Sequence, residues 1–387
     1  MKFSSRVEAV SESATLVLSA EAARLRAEGV DIVGLLEGEP DLAVPEPILL
    51  ATAEALAQGH TRYSAASGLA ELKAAIARKL EEENGLNVTP ENILVCNGAK
   101  QALYQTMQAM LDPGDEVLIP SPCWVTFPEA VKLAGGTPVL VETDETHQLD
   151  LTALEAAVTP NTKAIILNTP NNPTGAVYSE ATLRGVLALA GRHSLAIISD
   201  EAYESLVYDD RSHCTIARLS AAAAVRTVTL QTFSKSFAMT GYRVGYMVGP
   251  SDFVKAASRI QSHLTGNVCT FAQYGALAAL GLGEAHRAAW RATHQQRRDL
   301  AFNYASRLFP CVKPQGGLFL FVDARRYLRP DRPDSVSLTL QLLEKGGVAV
   351  VPGLAFGREG FLRISFSASE NAIREGFTRL QRALMAL

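Results

Sequence analysis

Through the middle of the chain, apolar positions fall in short runs separated by stretches with a helical repeat. The runs at 92–96, 116–119, 137–141, 164–168, 195–200, 227–233 and 243–248 predict strands, and the stretches at 100–111, 124–134 and 182–191 predict amphipathic helices between them. This alternation predicts an α/β layer, with a mostly parallel sheet and helices on both faces. The connection from Thr232 to Tyr242 is too short for a helical crossover, so the run at 243–248 is expected to lie antiparallel.

After Ser251 the pattern changes. Helices are expected at 252–263 and along an Ala/Arg-rich segment at 270–308, strands at 317–322, 348–351 and 361–366, and a closing helix at 370–387. These predict a second, smaller α+β domain. A chain of 387 residues also exceeds the ~250–300 at which single cores stop growing. The expected division is a large domain at 45–295 and a small one made of 1–44 and 296–387.

Composition narrows the function classes. The chain is 48% hydrophobic and 20% charged, and its formal charge of −4 is spread without a basic stripe, which argues against a nucleic-acid partner. Five dispersed cysteines form no C-x-x-C pair, and seven dispersed histidines give no metal-ligand spacing, so no metal is expected. The first residues carry no export signal and no uncharged run reaches the ~20 residues that cross a bilayer. A cytoplasmic protein with no membrane partner is expected.

Candidate chemistry begins at Lys235, which has apolar sequence on both sides within Thr232-Phe-Ser-Lys-Ser-Phe-Ala-Met239. Lost ammonium hydration lowers a lysine's pKa and frees the neutral amine as a nucleophile toward carbonyls. Asp200 ends an apolar strand pattern 35 positions earlier, about one strand-crossover-strand unit. Both side chains are thus expected beyond neighbouring strand ends, where open α/β sheets bind ligands. An Asp at that point is equally the commoner helix N-cap. Asn97-Gly98-Ala99-Lys100 follows a strand and opens a helix, and Arg243 offers a fork of donors, so both suit a phosphate. A carbonyl-reactive lysine, a strand-end carboxylate and two phosphate-type sites together match pyridoxal 5′-phosphate.

From Ser13 to Arg363 the chain resembles the fold-type I, class I/II aminotransferases, and among them the bacterial subgroup that transaminates aspartate or prephenate. The resemblance is carried by Gly38-Glu-Pro-Asp41, Tyr63-Ser-Ala-Ala-Ser-Gly-Leu69, Asn97-Gly-Ala-Lys100, Ser121-Pro-Cys-Trp124, Asn168-Thr-Pro-Asn-Asn-Pro-Thr-Gly175, Asp200-Glu-Ala-Tyr203, Ser234-Lys235 and Phe361-Leu-Arg-Ile364. It implies a mixed, mostly parallel seven-stranded sheet, and a transaminase that runs ping-pong through pyridoxamine phosphate. The favoured donors are aspartate or glutamate, with an acceptor such as 2-oxoglutarate. Alternatives are an aromatic, kynurenine- or prephenate-type aminotransferase, or a β-lyase. A ligand-sensing module fused to a DNA-binding segment expects a basic helix-turn-helix that this sequence does not show.

The resemblance also implies roles. Lys235 would bond the cofactor aldehyde and then shuttle the substrate proton; Asp200 would pair with the pyridinium nitrogen. Asn172 and Tyr203 would bind the ring 3-oxygen, and Trp124 would stack on the ring. Gly98, Ala99, Lys100, Thr232 and Arg243 would hold the phosphate, joined by Tyr63 from the other subunit of a homodimer with shared active sites. Arg363, Asn172, Trp124 and Gly38 would bind the substrate's α-carboxylate end. Lys100, with Thr15 and Ser13, would take the distal carboxylate. Strand alternation alone puts Arg363 on the solvent side, whereas the resemblance puts it in the cleft. Cys123 and Tyr242 depart from the subgroup's usual aromatic residue and tryptophan, and the Thr232-Phe-Ser-Lys235 stretch is closer to the aromatic branch; these bear on substrate choice.

Overall fold

A computed structural model describes residues 2–12 and 14–386. In chain order its strands are β1 (Val33–Gly34), β2 (Ile93–Cys96), β3 (Glu116–Ser121), β4 (Thr137–Glu142), β5 (Thr162–Asn168), β6 (Ala196–Asp200), β7 (Thr227–Thr232), β8 (Gly245–Val248), β9 (Phe319–Asp323), β10 (Val348–Ala349), β11 (Val351–Pro352) and β12 (Phe361–Ser365). Seven of them form one sheet in the order β2-β8-β7-β6-β5-β3-β4.

Only β8 is antiparallel to its neighbours in that sheet, as the short link after β7 requires. The strands from β4 to β7 are mutually parallel. β2, on the far side of β8, therefore runs in the same direction as β7. The carboxyl ends of β2, β5, β6 and β7 consequently open on one edge, and Cys96 and Thr232 flank Gly245 in register.

Period-two alternation assigns the apolar side chains to two faces. Ile166, Ile198 and Leu230 pack with Ala102, Leu103 and Met107 of helix Gly98–Met110. Ile165, Leu167 and Ile197 pack on the other face with Leu183, Val186 and Leu189 of helix Glu180–Arg192. Helices Ala70–Asn84 and Thr270–Leu280 cover Val95, Tyr246 and Val248. Each aliphatic side chain removed from water here contributes ~1.5–3 kcal/mol, which is why these strands carry apolar residues on both faces.

The rest of the chain forms a three-stranded antiparallel sheet, β11-β12-β9, and a parallel pair, β1 with β10. Two expectations are corrected here. The 348–351 run is not one strand: β10 pairs with β1 while β11 pairs with β12. The 270–308 segment is two helices, Thr270–Leu280 and Gly283–Leu308, parted at a glycine-flanked break where Gly283 has φ +69°. The N-terminal segment packs onto the C-terminal part, with Leu18, Ala22, Ile32 and Leu36 against Phe321, Leu343, Val351 and Phe356. No helix among the described residues is long and apolar enough to cross a membrane.

Candidate active site

A cleft of about 320 Å³ opens at the carboxyl edge of the large sheet, and its walls include Gly38, Ala99, Lys100, Trp124, Asn172, Asp200, Tyr203, Thr232, Lys235, Arg243 and Arg363. Residues expected from seven separate stretches of sequence thus converge.

Asp200 occupies the last position of β6, is buried, and accepts a hydrogen bond from the Ala202 amide at 3.1 Å. No regular helix follows it, so it is not a helix N-cap. Burial pushes its carboxyl up to about 7, the Ala202 amide working against that rise. A cation adjacent to the carboxyl restores its ionised form. Asn168 ties the neighbouring loop to this strand end: its amide nitrogen donates to the Asp200 carbonyl at 3.1 Å, and its oxygen accepts from the Asn172 amide at 2.8 Å. The turn after Asn172 needs glycine at 175, where φ is +71° and a Cβ would lie 2.7 Å from the Gly316 oxygen.

Lys235 lies just beyond β7, and its amine donates to the Gly38 carbonyl at 2.7 Å. Loss of hydration pulls it down to about 8; Glu39 and Asp200 oppose the fall, and Arg243 and Arg363 add to it. A lysine of this kind is mostly a cation at pH 7 but carries a far larger neutral fraction than an ordinary lysine.

At the other end of the cleft the first-turn amides of helix Gly98–Met110 lack intrahelical acceptors and meet the positive end of the helix dipole. Two glycines bring the elements together. A Cβ on Gly98 (φ +78°) would sit 2.7 Å from an Arg243 guanidinium nitrogen, and one on Gly245 would sit 2.8 Å from the Ala99 nitrogen. Arg243 is steadied by donating to the Thr240 carbonyl at 2.9 Å. The Thr232 hydroxyl is bonded to Ser234 Oγ at 2.9 Å. Lys100 holds its ammonium 5.3 Å from the centre of the Trp124 ring, and burial, then Arg243, lowers its pKa.

Arg363 is buried, which corrects the solvent-facing position that alternation predicts. Its guanidinium lies 4.1 Å from the Phe319 ring centre and 4.9 Å from that of Phe356. One terminal nitrogen donates to Asn172 Oδ1 at 3.2 Å and the other to the Leu36 carbonyl at 2.7 Å, while Nε has no partner among the described residues. Burial lowers its pKa to about 10, so it remains a cation at neutral pH. Both faces of β12 are buried, so alternation loses its meaning as an inside-outside signal there.

Tyr63 does not line this cleft: its side chain is 97% exposed. Thr15 lies near the start of helix Ala14–Ala27, with its side chain outside the described residues, as is all of Ser13. The structure adds Asn168, Ser234 and Phe319 to the cleft walls. Ser234 adjoins the lysine and Asn168 opens the Asn-Pro motif, so both were accessible to sequence reasoning. Phe319 reads from sequence as an ordinary strand aromatic. A second cavity, about 750 Å³, opens elsewhere beside Thr232 and Phe237, with acids and bases that pair with one another, Lys79 with Glu204 and Arg287 with Glu83.

The cleft therefore offers a half-buried amine, a carboxyl that favours a cationic partner, and an anion cradle, a donor set that fits pyridoxal phosphate. The family described as aminotransferase class I and II matches residues 30–380, and the chain belongs to it. It is accordingly a pyridoxal phosphate-dependent transaminase. Its likeness is to aspartate-type members. It is 41% identical over 391 residues to the aspartate aminotransferase of Geobacillus stearothermophilus, covering 100% of both chains. It is 43% identical to the aspartate/prephenate aminotransferase of Thermus thermophilus, over 98% of each. Among solved structures, the Thermus thermophilus aspartate aminotransferase with maleate superposes with a TM-score of 0.94 at 42% identity, over 99% of this chain and 100% of that one.

Proposed function

We propose that this transaminase moves the α-amino group of a dicarboxylic amino acid, aspartate or glutamate, to a 2-oxo acid such as 2-oxoglutarate, with prephenate as a further acceptor. The observation that carries this reading is a cation beyond those the cofactor would occupy: with Lys235 and Arg243 assigned to the cofactor, Lys100 lines the cleft in addition to Arg363. One carboxylate needs one such partner, and a dicarboxylate uses both. The relatives named for aspartate and prephenate support it.

Bound in the cleft, the cofactor supplies a carbonyl for the amino group and a ring that withdraws electrons from the substrate's α-carbon. The Lys235 amine would take the substrate's α-proton and hold it on Nζ. Asp200 would pair with the ring nitrogen and favour its protonated form, a charge pair in a buried place. Tyr203 and Asn172 orient the ring through its 3-oxygen, and Trp124 covers a face. Gly98, Ala99 and Lys100 amides, with Thr232 and Arg243, hold the phosphate. Arg363 grips the α-carboxylate as a fork, helped by Asn172 and the Gly38 backbone.

Lys100→Ala is expected to lower kcat/KM for aspartate and glutamate about 10- to 100-fold, the scale of one charge-assisted hydrogen bond, and to leave alanine nearly unchanged. Equal losses for aspartate and alanine would overturn the dicarboxylate assignment.

The same reading includes a homodimer. Leu49, Leu50, Leu56 and Leu264 are exposed apolar side chains, and Tyr63 stands free of its own cleft. A partner subunit's phosphate site gives that tyrosine a role. Sedimentation is expected to show twice the 41.5 kDa chain mass, and Tyr63→Phe to speed cofactor release; a monomer with full activity would refute both points. We also propose the division at 45–295 against 1–44 with 296–387, supported by the seven-stranded sheet lying wholly in the first part and the β11-β12-β9 sheet wholly in the second. A cytoplasmic location is part of it, which the five unpaired cysteines suit.

A further inference from the structure

Where the Lys235 amine points is set by backbone, and that backbone is costly. Ala238 (φ 52°) and Arg243 (φ 56°) adopt the left-handed conformation without being glycine. A segment of this kind persists only when its surroundings determine it.

Helix Gly283–Leu308 supplies two side chains that do so. The Trp290 indole N–H donates to the Lys235 carbonyl at 3.0 Å, and His286 Nε2–H donates to the Ser236 carbonyl at 3.3 Å. Positions 286 and 290 are four apart, so they share one helix face. Two donors one turn apart thus meet two consecutive carbonyls. The donors are themselves braced. The His286 ring stacks on Phe237 with 5.6 Å between centres, Trp290 lies 5.5 Å from His286 and 5.1 Å from His294, and His294 Nδ1 donates to the Trp290 carbonyl at 2.8 Å. Ser236 is further tied by its hydroxyl to that of Ser205 at 2.7 Å. Neither His286 nor Trp290 lines the cofactor cleft.

We propose that Trp290, together with His286, is a positioning residue for Lys235: the pair fixes the lysine's backbone and thereby the direction and hydration of its amine. The inference rests on the assignment of Lys235 to the cofactor. A plain packing role for the aromatic column would contribute to stability but not to the behaviour of the amine, and that difference makes the idea testable.

Trp290→Phe keeps an aromatic ring and removes the N–H. Its expected effect is a kcat about five- to tenfold lower with KM within about twofold, the scale of one net hydrogen bond. In cofactor-free protein the pH midpoint for labelling of Lys235 by an amine-directed reagent should move upward, toward that of a free lysine. A lower melting temperature with unchanged kcat and labelling midpoint would overturn the proposal. If Trp290→Phe does not fold, His286→Leu and His286→Gln replace it. The glutamine retains an N–H donor and should resemble wild type, while the leucine should reproduce the shift; leucine behaving as wild type would overturn the clamp. Borohydride reduction of the wild-type holoenzyme separates the two levels of argument. Label elsewhere than Lys235 refutes the cofactor assignment. Label on Lys235 with unaltered variants refutes the clamp alone.

Discussion

Lys235→Ala is expected to reduce transamination by about 10⁴-fold or more, because one side chain supplies both the nucleophile and the proton carrier. The variant should still fold, since the amine's only hydrogen-bond partner among the described residues is the Gly38 carbonyl. Borohydride should fix the cofactor to a single peptide of the wild-type protein, the one containing residue 235, and to none in the variant. The pH dependence has a definite sign. With its pKa drawn down to about 8, the amine of cofactor-free protein is about one-tenth neutral at pH 7, against about one part in three thousand for an ordinary lysine. Its labelling rate should rise with pH and level off above about 9. A midpoint near 10.5 would show a hydrated lysine and remove the physical basis of the assignment. Retained turnover in Lys235→Ala would do the same directly.

The sequence was most informative where one residue type answers one geometric need. Seven apolar runs of strand length became seven strands of one sheet, since burial on both faces of all but the edge strand β4 leaves little freedom of composition. The reversal of β8 was legible in the shortness of a connection. Gly98 could be read as a place where backbone meets an anion site, and the contact a Cβ would make there with Arg243 explains it. Packing between distant segments was not legible. The split of 348–351 depends on β1, more than 300 positions away in sequence, offering an edge to β10. Arg363 misled the alternation argument because its face of β12 is covered by Phe319 and Phe356, which belong to other elements. Trp290 looked like one more apolar residue in an Ala/Arg-rich helix, and only the fold places it against the Lys235 carbonyl.

Arg363→Ala should weaken every substrate alike, and that uniformity distinguishes it from Lys100→Ala. The α-carboxylate is the group all amino acids and 2-oxo acids share, and a buried guanidinium meets it with two parallel donors. Two charge-assisted hydrogen bonds at ~1.5–3 kcal/mol each, less what water recovers, correspond to a fall in kcat/KM of about 10²–10⁴ for aspartate, glutamate and alanine together. Arg363→Lys is the sharper variant. It keeps the positive charge, but an ammonium cannot present the planar fork, nor reproduce the guanidinium's contacts with the rings of Phe319 and Phe356. It should therefore recover less than about a tenth of the lost activity, by the same hydrogen-bond arithmetic. The Asn172 side chain, which accepts from Arg363 at 3.2 Å, would lose a partner in both variants and could not compensate. Substrate panels measured on the two variants decide the matter. A loss confined to dicarboxylates would transfer the distal role to Arg363 and leave the α-carboxylate to another cation, of which the described cleft walls hold only Lys100, Lys235 and Arg243.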